Sequence, residues 1–338
     1  MLPELAPFLR RCSGQEDGAP TYDRGINMRE LKVLTNSFAA MGGDPEVFAN
    51  THIAHMAATG HRIVSQREIP GVHLEAEETP DAIITRITVA RGVHVSLPIH
   101  LCIGIIESRG TQHIQTRLMV EEGASASFLA HCLFPNVESG EHRMNAVIDI
   151  QEGATVKYLE SHYQGPYGGM VVIPQAVVKI GKGARYFSDF TLITGRVGRL
   201  NIDYVVQVEE DGVAELTAKV FGRGNDEISI KEKIELNGEN ARGLIKTRVA
   251  LEHNAKAELT GIMEAHAKGA RGHVDCREII KDHAVASAIP IVNVTHPLAK
   301  VTHEAAIGSV DQKELETLMA HGLNPEQATE LIVSGMLQ

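Results

Sequence analysis

Leu118-Met-Val-Glu-Glu-Gly123, Ile148-Asp-Ile-Gln-Glu-Gly153, Val178-Lys-Ile-Gly-Lys-Gly183 and Val206-Gln-Val-Glu-Glu-Asp-Gly212 are versions of one phrase, a short β-type run closed by a turn residue. Such turn signals recur at Gly92, Gly123-Ala124, Gly153-Ala154, Gly183-Ala184, Asp211-Gly212, Asn240-Ala241 and Gly269-Ala270, at intervals of 28 to 31 residues. Half-interval signals fall at Asn254-Ala255 and His283-Ala284. A period near 30 residues, with two strand-turn units in each, is what a β-helical solenoid produces: one coil per period, stacked strand on strand. A β-sandwich or stacked barrels would also place a turn every ~12 to 15 residues. The solenoid is favoured because the register holds through six successive intervals with little drift. Roughly 225 residues would supply seven or eight coils, a rod about 35 Å long at about 4.8 Å per coil.

Working outward, strand-type alternation begins with Ile83, Thr85, Ile87 and Val89 and continues from Val93 to Ile105. Upstream, residues 28–41 place Leu31, Leu34, Phe38 and Met41 on one helical face that Gly42-Gly43 ends. Asp44-Pro45 then predicts a second helix lasting to about Gly60. Two interruptions, Phe134-Pro-Asn-Val-Glu-Ser-Gly-Glu-His142 and Tyr163-Gln-Gly-Pro-Tyr-Gly-Gly169, read as loops. Downstream of the repeats, Asp311 with Glu314 forms a capping-box pattern and Gly322 marks a left-handed stop, predicting a helix over 312–321. Asn324-Pro325-Glu326-Gln327 starts another. The expected organisation is therefore mainly β: an N-terminal helical segment (1–75), a β-helix core (76–305) and a C-terminal helical segment (306–338).

The 338 residues carry 32 Lys plus Arg against 43 Asp plus Glu, a net charge of −11, which gives nucleic acid no basic footprint. Cys12, Cys102, Cys132 and Cys276 form no Cys-x-x-Cys pair and no regular framework, which fits a reducing compartment. At the N-terminus an acidic residue and two prolines interrupt a very short apolar run, and the Arg10-Arg11 pair follows it, the wrong order for a signal peptide. No run reaches the length that spans a bilayer. A cytoplasmic protein without a membrane partner is expected.

Candidate chemistry concentrates late in the chain. Cys276 lies in Arg271-Gly-His-Val-Asp-Cys-Arg-Glu-Ile-Ile280, and His303-Glu304 follows in Val301-Thr-His-Glu-Ala-Ala-Ile-Gly-Ser-Val-Asp311. A lone strand cysteine is ordinarily a small buried apolar residue, and a His-Glu pair is ordinarily surface. Thiolate, imidazole and carboxylate together nevertheless make an iron or zinc ligand set. Cys102 and Cys132, 30 residues apart, could stack in adjacent coils as thiols without a role, and Cys12 is assigned none. His52-x-x-His55, with His61 beyond, has metal-like spacing but reads as a solvated helix face, and His94, His100 and His113 read as surface strand positions. There is no P-loop, nucleophile elbow or dinucleotide loop, so any ATP would be bound by another chain.

The C-terminal string, from Val301 through Leu315-Glu-Thr-Leu-Met-Ala-His-Gly-Leu323 to Glu330-Leu-Ile-Val-Ser-Gly-Met-Leu337, resembles the end of the SufB/SufD family, scaffold subunits of SUF iron-sulfur cluster assembly. The repeats extend a weaker resemblance back to about residue 75. The resemblance implies a right-handed parallel β-helix that dimerises through its late coils, and terminal helices that dock a SufC-like ABC-type ATPase. It further implies that Cys276, 27 residues before His303 as in SufB proteins, takes part in cluster assembly, with His303 and Glu304 of a facing subunit as iron ligands. A chain carrying all three residues suits a homodimer. A cysteine desulfurase or other sulfur donor and acceptor apo-proteins are the further partners implied. No cysteine lies between 133 and 275, where some family members carry a sulfur-accepting one. On this reading the chain is not an enzyme. Its competitors are a metal-free structural adaptor of the SufD kind and a carbohydrate-active β-helix enzyme.

Overall fold

In the computed structural model, which describes residues 28–40 and 45–337, nineteen strands form two facing sheets. Helix α1 (Met28–Ala40) and a 3-10 turn (Pro45–Phe48) precede β1 (His55–Thr59), β2 (Arg62–Arg67), β3 (Val72–Glu78), β4 (Ile83–Val89) and β5 (Ile99–Gly104). Longer strands follow: β6 (Arg109–Val120), β7 (Ser125–Phe134), β8 (Ser139–Ile150), β9 (Thr155–Gln164), β10 (Met170–Ile180), β11 (Arg185–Thr194) and β12 (Gly198–Val208). The series closes with β13 (Val213–Gly222), β14 (Glu227–Leu236), β15 (Arg242–Leu251), β16 (Lys256–Ala265), β17 (Arg271–Ile280), β18 (Val285–Val294) and β19 (Lys300–Gly308). Helices α2 (Gln312–Ala320) and α3 (Pro325–Met336) end it.

One wall runs β19-β17-β15-β13-β11-β9-β7-β5-β1-β2 and the other β18-β16-β14-β12-β10-β8-β6-β4-β3. Pairing is parallel from β4 onward, so each coil gives one strand to each wall and eight coils stack into a solenoid. Antiparallel pairs β1–β2 and β3–β4 close the first end. The side chains that point inward fill the lumen with one continuous apolar cluster, from Met56 near the first end to Cys276 near the last.

All seven turn signals read from the sequence occupy the left-handed region, with φ of 55–72° at Gly92, Gly123, Gly153, Gly183, Asp211, Asn240 and Gly269. That backbone is reserved for Gly, Asn and Asp, which explains the composition of the corners. At six of these seven corners the N–H is thereby turned onto the next coil, as in Gly153 N to Lys182 O at 2.9 Å and Gly183 N to Glu210 O at 2.8 Å. The alanines that follow, Ala124, Ala154, Ala184, Ala241 and Ala270, are fully buried at the corner. At the half-interval corners the left-handed residues are His253 and Asp282, one position before the asparagine and histidine singled out above.

Four expectations are corrected. No helix runs from Pro45 to Gly60: a single 3-10 turn gives way to β1, whose five residues are all buried. His52 therefore lies in a turn, while His55 is a strand residue whose Nε2 sits 2.8 Å from Ser65 Oγ. His100 is buried, not surface, because α1 covers the outer face of β5 and sets Phe38 edge-on to its ring, centroids 6.2 Å apart. Cys102 and Cys132 do not stack, since the β5–β7 register is 29 residues and pairs Cys102 with His131 and Ile103 with Cys132. Cys102 thus faces α1, with Leu34 and Phe38, and Cys132 faces the lumen. In the first interruption only residues 135–138 are loop; Phe134 ends β7, and the stretch from Ser139 to His142 already belongs to β8. Met41, Asp44 and Cys12 lie outside the described residues.

At the other end α2 and α3 match their caps: Asp311 accepts from Glu314 N, and Asn324 with Gln327 forms a complete capping box. α3 packs Val333 and Leu337 on the flank of the solenoid, against Phe221 and Ala250. α2 buries no side chain. The helices therefore lie beside the rod and do not cover its end.

The corner geometry separates two glycine substitutions. A Cβ at Gly153 meets nothing within 4 Å, so Gly153→Ala should cost only the left-handed backbone, about 1 kcal/mol. A Cβ at Gly169 would fall on the Glu138 carbonyl oxygen, so Gly169→Ala should cost more, about 2–3 kcal/mol. Denaturant unfolding midpoints of the two variants check the order.

Candidate cluster-assembly site at the last coils

Cys276 sits in the middle of β17, where alternation sends Val274, Cys276 and Glu278 into the lumen and Asp275 and Arg277 outward. Its thiol is 2 % exposed. The lateral partner on β15 is Thr247, whose Oγ1 donates to Glu232 Oε2 on the opposite wall at 3.1 Å. Burial, reinforced by the charge of Glu232, pushes the Cys276 thiol up to about 11, with the Thr247 hydroxyl opposing it. The same burial raises Glu232 and Glu278 to about 7 each. Both carboxylate oxygens of Glu278 are buried without a hydrogen-bond partner. The thiol is thus held protonated between two carboxyls that titrate near neutrality, which gives any incoming cation local proton acceptors.

His303 and Glu304 lie on β19, the outermost strand of its wall. His303 pairs laterally with Val274 and so shares the lumen-side face of Cys276, one strand away and two residues offset. Glu304 pairs with Asp275 and faces outward, where Arg277 Nη2 donates to its Oε1 at 3.3 Å. Consecutive residues of a strand cannot present to one side. One chain therefore brings Cys276 and His303 to a common face and turns Glu304 away from it.

Because no coil follows β19, the lumen side of this strand is open. His303, Ala305 and Ile307 are exposed, and on the companion strand so are the lumen-facing Val292 and Val294, at 37 and 43 %; Ile289 and Ile291, at 41 and 43 %, lie on its outer face. Leu298, in the turn joining β18 to β19, reaches 62 %. A cleft of about 590 Å³ between the last coil and the C-terminal helices is lined by Glu278, Ile307, Glu314 and Met336 among others. Both β18 and β19 are also unpaired along their outer edges. Glu232 and Glu278 were missed in the sequence, although a charged residue at a lumen-parity position of a solenoid strand is itself a signal.

The two buried carboxyls make stability depend on pH. Folded, each keeps its proton up to about 7, against 4.5 when exposed. Between those values the folded chain binds more protons than the unfolded one, so stability is fullest below 4.5 and falls as pH rises through 7. Glu232→Gln should flatten this profile and raise stability at pH ~8 by about 1–3 kcal/mol, with little change near pH 4. Denaturant titrations at the two pH values measure it.

Comparison with known proteins identifies a family. Residues 105–336 match the family described as SUF system FeS cluster assembly, SufBD core domain. An iron-sulfur cluster assembly SufBD family protein of Methanocaldococcus jannaschii is 41 % identical over 308 residues, 91 % of this chain and 98 % of the relative. A SufBD family protein of Pyrococcus horikoshii is 32 % identical over 325 residues, covering 95 % and 98 %. The iron-sulfur cluster assembly protein SufB of Bacillus subtilis is 24 % identical over 263 residues, 75 % of this chain and 54 % of that protein. Among the described residues no helix is long and apolar enough to cross a membrane. With the family matched over more than half its length, and with two relatives above 30 % identity along nearly the whole of both sequences, the chain belongs to the SufB/SufD family of iron-sulfur cluster assembly proteins.

Proposed function

We propose that this chain is a scaffold on which an iron-sulfur cluster, its cargo, is built between two copies at the open end of the solenoid. The observation that carries this reading is a thiol, Cys276, one strand inside an uncovered apolar end that also presents His303 on the thiol's own face. Exposed Ile289, Ile291 and Leu298, beside two unpaired strand edges, are what a self-complementary interface buries. In such a pair Glu304, turned away from its own Cys276, becomes available to the partner's site.

In this reading Cys276 accepts sulfur as a persulfide from a cysteine desulfurase or other donor, or binds iron directly. Its proton leaves toward Glu232 or Glu278. His303 and Glu304 add borderline and hard donors. A cluster held by one thiolate with nitrogen and oxygen donors is more labile than one held by four cysteines, which suits transfer to acceptor apo-proteins. The chain acts as a scaffold without turnover of its own, in the cytoplasm. Energy comes from a SufC-like ABC-type ATPase docked at α2 and α3, whose closure would open the interface. The helices lie on the flank and leave Met319 and Leu331 exposed, which favours docking over an end-capping role.

Anaerobic reconstitution with iron and sulfide tests the reading. Cys276→Ala should stay folded and dimeric, at a cost of about 1–2 kcal/mol, and should lose the cluster absorption; wild-type iron and sulfide in this variant would refute the assignment. For the ATPase, Met319→Glu with Leu331→Glu should leave stability within ~0.5 kcal/mol and abolish co-purification of a co-expressed SufC-like ATPase. Undiminished ATPase binding would move the docking site elsewhere.

A further inference from the structure

A second polar group lies in the lumen five coils from Cys276. Cys132 on β7 and His162 on β9 are lateral partners in adjacent coils, and Glu160, two residues before His162, points the same way. One ligand atom from each of the three lies within 4.8 Å of the others. From the opposite wall His142, on β8, sets Nε2 3.7 Å from Cys132 Sγ. All four side chains are at least 97 % buried.

The plainer account is an internal hydrogen-bond network, with His162 Nε2 2.7 Å from Glu160 Oε1. It leaves too much unsatisfied. Nδ1 of His142, Nδ1 of His162 and both amide atoms of Gln164 are buried without a partner. Among the described residues His162 is the one charged partner that Glu160 has. The surroundings are apolar, with Phe134 5.1 Å from the His142 ring and Phe190 4.8 Å from the His162 ring, so orphaned polar atoms there are costly.

A divalent cation accounts for the convergence itself: a thiol, a carboxyl and the Nε2 atoms of two imidazoles face one another in an apolar lumen, while the Nδ1 atoms and Gln164 lie outside that set. Thiolate and carboxylate together neutralise its charge, His162 completes the converging group of three, and His142 on the opposite wall, 3.7 Å from the thiol, is the fourth donor in reach. One sulfur, two nitrogens and one oxygen suit zinc or ferrous iron and not magnesium or calcium, which select all-oxygen sites. We propose that Cys132, His142, Glu160 and His162 hold one divalent first-row transition metal ion, zinc or iron(II), inside the solenoid. The ion is resident and not cargo: its ligands are sealed from solvent, so it enters as the chain folds and pins the two walls together. This inference is independent of the role given to Cys276.

The test uses the full chain, unfolded in denaturant with chelator and refolded anaerobically with cobalt(II), zinc(II) or iron(II). Wild type should retain one metal per chain, unfold at higher denaturant than the metal-free refolded chain, and with cobalt show a thiolate-to-metal charge-transfer band. Cys132→Ser should lose the band, and Cys276→Ser should keep it. Elemental analysis of the protein purified without added metal then tells zinc from iron. A wild-type chain that refolds to its native circular dichroism without binding cobalt overturns the proposal. So does a band that survives Cys132→Ser and vanishes with Cys276→Ser. Should Cys132→Ser not refold, Glu160→Gln and His142→Gln carry the test: each should weaken cobalt retention against a competing chelator at least ~10-fold, and retention equal to wild type overturns the assignment.

Discussion

Coil-to-coil register governs this protein. From β4 onward parallel ladders run along both walls, with one register shift between β9 and β11, and at most corners a left-handed residue turns its N–H onto the coil above, as Asp211 N does to Glu239 O at 2.9 Å. Because neighbouring coils keep their inward and outward positions aligned, side chains of like parity form columns along the lumen. A column continues until the chain supplies no further coil. The last coil then exposes apolar positions that are buried everywhere else in the rod, and this unfinished edge is where the proposed assembly site lies.

Within the columns, polar residues are few and grouped. One group, Glu232, Thr247, Cys276 and Glu278, is adjacent to the open end; the other, Cys132, His142, Glu160 and His162, is enclosed. The difference in access separates their chemistry. Near the end, a thiol held protonated beside carboxyls that titrate near 7 can exchange protons for an arriving cation. Deep in the rod the enclosed donors are sealed from solvent, and the ion proposed there would enter as the chain folds.

Much of this was legible in the sequence because left-handed corners admit few residue types. Gly123, Gly153 and Gly183 announced the period, and the caps at Asp311 and Asn324 announced the terminal helices. What was hidden has physical reasons. The strand His55-Met-Ala-Ala-Thr59 is buried on both faces, by the lumen and by the layer under α1, so it shows no alternation and its Ala and Met read as helix formers. The cover over His100 comes from a helix distant in sequence. The 30-residue spacing of Cys132 and His162 equals the period and could have linked them; the same spacing misleadingly linked Cys102 to Cys132, because one coil is a residue shorter. Glu304 was grouped with His303 as a ligand pair, although adjacent strand residues face opposite sides.

That opposition makes the central claim testable in one measurement. If the cluster forms between chains, a Cys276→Ala chain and a Glu304→Ala chain are each incomplete, yet a dimer of one with the other contains an intact Cys276 with its own His303 opposite an intact Glu304. Co-expressed with different affinity tags, purified as the mixed dimer and reconstituted anaerobically, this pair should recover the iron-sulfur absorption that both parent homodimers lack. A mixed dimer that forms but stays colourless would contradict a site built across the interface.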